Sequence, residues 1–67
     1  MNTNLIRELS SVFKGSMFMQ KNTPHMWLKA VTGYCVVNLS NASIVSSSGV
    51  DSSELLFISH YLKLIKS

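Results

Sequence analysis

Asp51 and Glu54 stand three residues apart immediately ahead of an apolar run, and no other feature restricts the fold of this chain as much. An aspartate at the N-cap accepts an otherwise unpaired backbone N–H, and a glutamate three residues on reaches back to the cap, so a helix is expected to begin here. Leu55, Leu56, Phe57, Ile58, Tyr61, Leu62, Leu64 and Ile65 spread over more than one face of that helix, leaving Ser59, His60, Lys63 and Lys66 for water. A helix with so broad an apolar surface needs cover on two sides. One side is expected to meet the rest of the domain. The other, through Leu56, Phe57 and Tyr61, is expected to meet a second copy of the chain or a target protein.

The segment upstream extends the pattern. Ser40 suits a cap for a short helix over Asn41 to Ser48, Gly49 suits its end, and the capped final helix follows at helix-turn-helix spacing. In that arrangement Ile44, Val45, Val50, Leu55 and Ile58 lock the two helices together, while Ser52, Ser53, Leu56, Phe57 and His60 face outward. Ser52, Ser53, His60, Lys63 and Lys66 are the expected DNA contacts, the serines to bases or phosphates and the cations to the backbone. No arginine in this stretch is placed to read a guanine.

Towards the N-terminus, Leu5, Ile6, Leu9, Val12 and Phe13 recur at spacings of three and four after Thr3 or Asn4 as a cap, and Lys14-Gly15 closes the run. That is a short amphipathic helix. Met17-Phe18-Met19 reads as a connector. Thr23-Pro24 then suits the start of another helix, with Trp27, Ala30, Val31, Tyr34 and Asn38 on one face. Val31 to Val37 also has strand propensity, because it is rich in β-branched and aromatic residues and contains Gly33, which costs a helix about 1 kcal/mol relative to alanine. The expected fold is therefore one mainly α domain over residues 1–67 with a helix-turn-helix-like C-terminal half. The alternative is α+β, in which Val31–Val37 and Ile44-Val45 pair as a β-hairpin between two helices.

Ala-Val-Thr-Gly-Tyr-Cys-Val over Ala30 to Val36, followed by Ser40, Ile44, Val50 and Leu62-Lys-Leu-Ile65, resembles the C-terminal half of the PapB-like regulators of adhesin operons. The resemblance covers Ala30 to Lys66. It implies a small helical protein that binds DNA as an oligomer and controls fimbrial transcription. The chain departs from that family where Asn41, Ala42 and Ser43 replace basic residues.

Composition narrows the function further. With 46% apolar and only 13% charged residues in 67, the chain is too short and too apolar to cover itself well, which predicts a homodimer or a protein partner. Six Lys and Arg against three Asp and Glu give a net charge of +3, but the cations are scattered. The lone Cys35 cannot form an internal disulfide, and no signal segment or membrane-length apolar run is visible, so a cytoplasmic protein without membrane contact is expected. His25 and His60 have no carboxylate or cysteine at ligand spacing, which predicts no metal and no cofactor. No nucleophile, base and orienting group come together, so neither enzyme activity nor a small-molecule substrate is expected. The leading expectation is a dimeric transcriptional regulator. The alternative is a small inhibitor or modulator that binds a host protein without touching DNA.

Overall fold

The computed structural model describes residues 3–66 and shows an α+β fold. Helix α1 (Thr3–Val12) leads into strands β1 (Ser16–Gln20), β2 (Thr23–Lys29), β3 (Tyr34–Asn38) and β4 (Ser43–Ser48), and helix α2 (Ser52–Lys66) closes the chain. The strands form an antiparallel meander in the order β1-β2-β3-β4.

This overturns the mainly α expectation. The proposed helix from Thr23-Pro24 is β2 and β3, the proposed Asn41 to Ser48 helix is the 39–42 turn and β4, and the Met17–Met19 connector lies in β1. Among the described residues there is no helix-turn-helix. The alternative hairpin is present as β3 and β4, but two further strands flank it on the β2 side.

Local chemistry explains each departure. Lys21 and Asn22 have positive φ (52° and 61°) between the paired Gln20 and Thr23, the backbone of a two-residue hairpin turn whose twist matches that of its strands. Next to the turn-closing pair, Pro24 stands opposite Met19 in a position that needs no N–H bond to β1, so proline does not interrupt the ladder. Its carbonyl still accepts the Leu39 N–H at 2.9 Å. In the next hairpin, Asn38 Oδ1 accepts the Ser40 and Asn41 N–H groups at 2.8 and 3.3 Å, which turns the chain where a helix cap was expected. A bulge at Val45 follows, since Val36 faces Ser46 while Val37 faces Ile44.

Both helices lie on one side of the sheet. Ile6, Leu9 and Phe13 from the α1 end meet Ile58, Leu62 and Ile65 of α2 over Met26 and Leu28 of β2 and Cys35 and Val37 of β3, in one buried cluster. From Met26 to Lys29 the strand alternates: Met26 and Leu28 are fully buried while Trp27 and Lys29 are exposed. Helix α1 ends as expected near Lys14-Gly15, but the left-handed residue is Lys14 (φ 50°), and the Gly15 N–H bonds back to the Ser10 carbonyl at 2.7 Å. Gly15 is small for a packing reason: a Cβ there would lie 2.8 Å from Met26 Sδ and 2.9 Å from Leu28 Cδ2. The cap of α1 was expected at Thr3 or Asn4, but both residues lie within the helix.

The α2 cap forms as expected on one side only. Asp51 Oδ1 accepts the Glu54 N–H at 2.9 Å, but Glu54 does not reach back to Asp51. Its carboxylate turns to the β2–β3 loop instead, accepting the N–H groups of Val31 (2.8 Å) and Thr32 (3.0 Å) and the Thr32 hydroxyl. Thr32 Oγ1 accepts the Asp51 N–H at 3.0 Å, so the two acids and one threonine tie the helix start to the sheet.

A candidate binding face on the open side of the sheet

With both helices on one side, the other side of the sheet is uncovered. The strand registers place Ser16, Phe18 and Gln20 of β1, Thr23, His25, Trp27 and Lys29 of β2, Tyr34, Val36 and Asn38 of β3, and Ser43, Ser46 and Ser48 of β4 on it. Its middle is aromatic. Trp27 and Tyr34 pack with ring centroids 6.1 Å apart, and Phe18 stacks on His25 at 5.5 Å, each pair joining neighbouring strands. Trp27 is 37%, Phe18 39% and Tyr34 47% exposed, whereas His25 is buried under its neighbours with Nδ1 2.9 Å from the Thr23 carbonyl. Because a carbonyl oxygen only accepts, Nδ1 is the donor of that bond.

Electrostatically the face is nearly bare. Lys29 is its one formal charge among the described residues, and the Lys29 ammonium donates to the adjacent Ala30 carbonyl at 2.9 Å. Glu8, Asp51 and Glu54, all the carboxylate side chains of the chain, sit on or beside the helices. An apolar centre of Phe18, Trp27, Tyr34 and Val36 is thus bordered by serine, threonine, asparagine and glutamine. Protein interfaces commonly combine an apolar core with a polar rim in this way.

The residues expected to touch DNA are placed differently. Ser52, Ser53, His60, Lys63 and Lys66 are all exposed on α2, and Ser52, His60 and Lys63 share one ridge with Leu56 at intervals of three and four. The helix packed beside α2 is α1 from the other end of the chain, so the ridge belongs to no helix-turn-helix pair. Of the expected partner-binding residues, Leu56 is 72% exposed and points away from the core. Phe57 and Tyr61 are partly spent inside the fold. Phe57 meets Phe13 edge-on at 5.8 Å and Tyr61 at 5.3 Å, and Tyr61 Oη donates to Glu8 Oε1 at 2.7 Å, joining α2 to α1. That bond to a carboxylate holds the Tyr61 phenol above its ordinary pKa. Phe57 also borders an open apolar hollow with Val12, Phe13, Ser53 and Glu54.

Among the described residues, no group of three or more His, Cys, Asp and Glu side chains could hold a metal ion. No helix is long and apolar enough to cross a membrane. Cys35 is fully buried, and burial pushes its thiol pKa up. The open-face residues Phe18, Trp27, Tyr34 and Val36 were missed as a set because Thr23-Pro24 was read as a helix start. The signal was present in His25-Met-Trp-Leu-Lys29, where period-two burial puts Met26 and Leu28 on one side and Trp27 on the other.

The fold and its face define a small two-layer α+β domain with one bare sheet surface. No protein-family model matches the chain, and neither a curated protein nor a solved structure is significantly similar to it.

Proposed function

We propose that this protein is a small protein-binding module whose working surface is the open sheet face. The observation that carries the reading is the exposed cluster of Phe18, Trp27 and Tyr34 on a surface with a single charged side chain. Tryptophan and tyrosine are the residues most often responsible for binding energy at interfaces, since each removes a large apolar area from water at little entropic cost. A monomer gains nothing by leaving them in solvent.

The DNA alternative has weaker support. Regulation through a helix-turn-helix has no counterpart in this fold, and the lysines that α2 could bring to DNA are Lys63 and Lys66. Two phosphate contacts provide a small part of what non-specific DNA binding requires. Single-stranded nucleic acid could stack on the aromatic face, but one lysine gives that face little attraction for a polyanion.

Photo-crosslinking side chains at Trp27, Tyr34 and Leu56, introduced singly in cells that make the protein, test the reading. It predicts crosslinks to a defined protein from the Trp27 and Tyr34 positions and none from Leu56. Crosslinks from Leu56 only would move the site to α2, and crosslinks to nucleic acid would end the protein-binding reading.

A further inference from the structure

We infer that the open face is covered by a second copy of this chain, in a two-fold dimer whose sheets pack face to face. The inference rests on the protein-binding reading above and names its partner.

Three observations favour the same occupant. The first is charge. A face with no carboxylate offers nothing to a basic partner, and with one lysine it offers little to an acidic one, so it complements a neutral apolar surface, which is what an identical face supplies. A two-fold axis matches each patch with itself. Lys29 lies at the end of β2 directly opposite Tyr34, so a two-fold axis nearer Phe18, His25 and Val36 sets the two lysines at opposite ends of the paired faces.

The second is area. A stable pair buries about 800 Å² per partner. The described chain exposes 4262 Å², so an interface of that size takes about a fifth of its surface. Two sheets stacked face to face lie about 10 Å apart with interdigitating side chains, a gap suited to Trp27, Tyr34, Phe18 and Val36 from each copy.

The third is what the fold leaves undone. Its core draws on one side of the sheet only, in a chain of 67 residues of which 46% are apolar. Pairing the sheets covers the apolar residues of the bare side with those of an identical side.

Trp27 is the chain's one tryptophan, so its fluorescence reports directly on this face. The experiment combines sedimentation equilibrium with Trp27 emission on dilution through the micromolar range, for the full chain and for Tyr34→Lys and Leu56→Lys. Tyr34 and Leu56 are both exposed, so neither change disturbs the monomer's core, and circular dichroism checks that each variant folds. The inference predicts a dimer whose Trp27 emission shifts to the red as it dissociates. It also predicts dissociation at least about thirtyfold easier in Tyr34→Lys, the effect of losing an aromatic hot-spot residue, and an unchanged dimer in Leu56→Lys.

A monomer with solvent-exposed Trp27 at every concentration overturns the inference, as does a dimer that survives Tyr34→Lys and falls apart in Leu56→Lys. The two readings fail separately. A monomer whose Tyr34 position crosslinks to a different protein removes the dimer and keeps the binding module, while a monomer whose Trp27 is quenched by a single-stranded oligonucleotide removes both.

Discussion

Glu54 and Thr32, twenty-two residues apart, are joined twice: the Glu54 carboxylate accepts both the backbone N–H and the hydroxyl of Thr32. Together with the bond from the Val31 N–H, this fixes the loop between the two central strands to the first turn of α2. These bonds, led by the Thr32 hydroxyl, hold the Glu54 carboxyl below its ordinary pKa.

The pH dependence follows from that direction. In the unfolded chain Glu54 returns to the ordinary glutamate value, so the stabilisation is fully present above that value and is lost as pH falls through the lower, folded one. Thermal melting of Glu54→Gln across the acid range should show a lower melting temperature near neutrality and a flatter acid limb than the parent. Parallel curves would mean that the carboxylate charge contributes nothing.

Gly33 separates the two folds by sign. In a helix, Gly33→Ala would stabilise by about 1 kcal/mol. In the sheet, a Cβ on Gly33 would lie 2.2 Å from the Ser48 carbonyl oxygen and 2.5 Å from the Gly49 carbonyl carbon, both backbone atoms that can move only by shifting β4 away. Gly33→Ala should therefore destabilise, by about 3 kcal/mol. Urea unfolding measures it directly.

The buried thiol offers a probe of opening. Cys35 is fully buried in the core cluster, and burial raises its pKa, so little of it is thiolate at neutral pH. A thiol reagent should label the native protein only as fast as the sheet opens, and at once in denaturant. Rapid native labelling would place Cys35 at the surface.

Leu28 and Leu56 are the same residue type in opposite settings. Leu28 is fully buried at the centre of the core, so Leu28→Ala should cost about 2–5 kcal/mol. Leu56 is 72% exposed on α2, and Leu56→Ala should stay within about 0.5 kcal/mol of the parent. Comparable losses at the two sites would contradict the packing of α2.

The sequence by itself determined both helices, because their signals are local. Asp51 caps α2 with its own side chain, and the spacing of Ile6, Leu9 and Phe13 makes one face of α1 apolar wherever the chain goes next. It also contained the β3–β4 hairpin, in the β-branched run to Val37 and the turn-forming Asn38. What happens between residues 16 and 38 was decided by tertiary structure. Thr23-Pro24 suits the start of a helix as well as the start of a strand, and β2 wins because Met26 and Leu28 are buried under α1 and α2 while β1 and β3 take up its backbone bonds. Local propensity cannot contain that gain, since it comes from partners elsewhere in the chain. The same holds for the open face. Trp27 and Tyr34 become neighbours across β2 and β3 only after Leu28 and Cys35 have turned inward, and for Glu54 a reach to Thr32 replaces the short return to Asp51 once the sheet brings the loop within range.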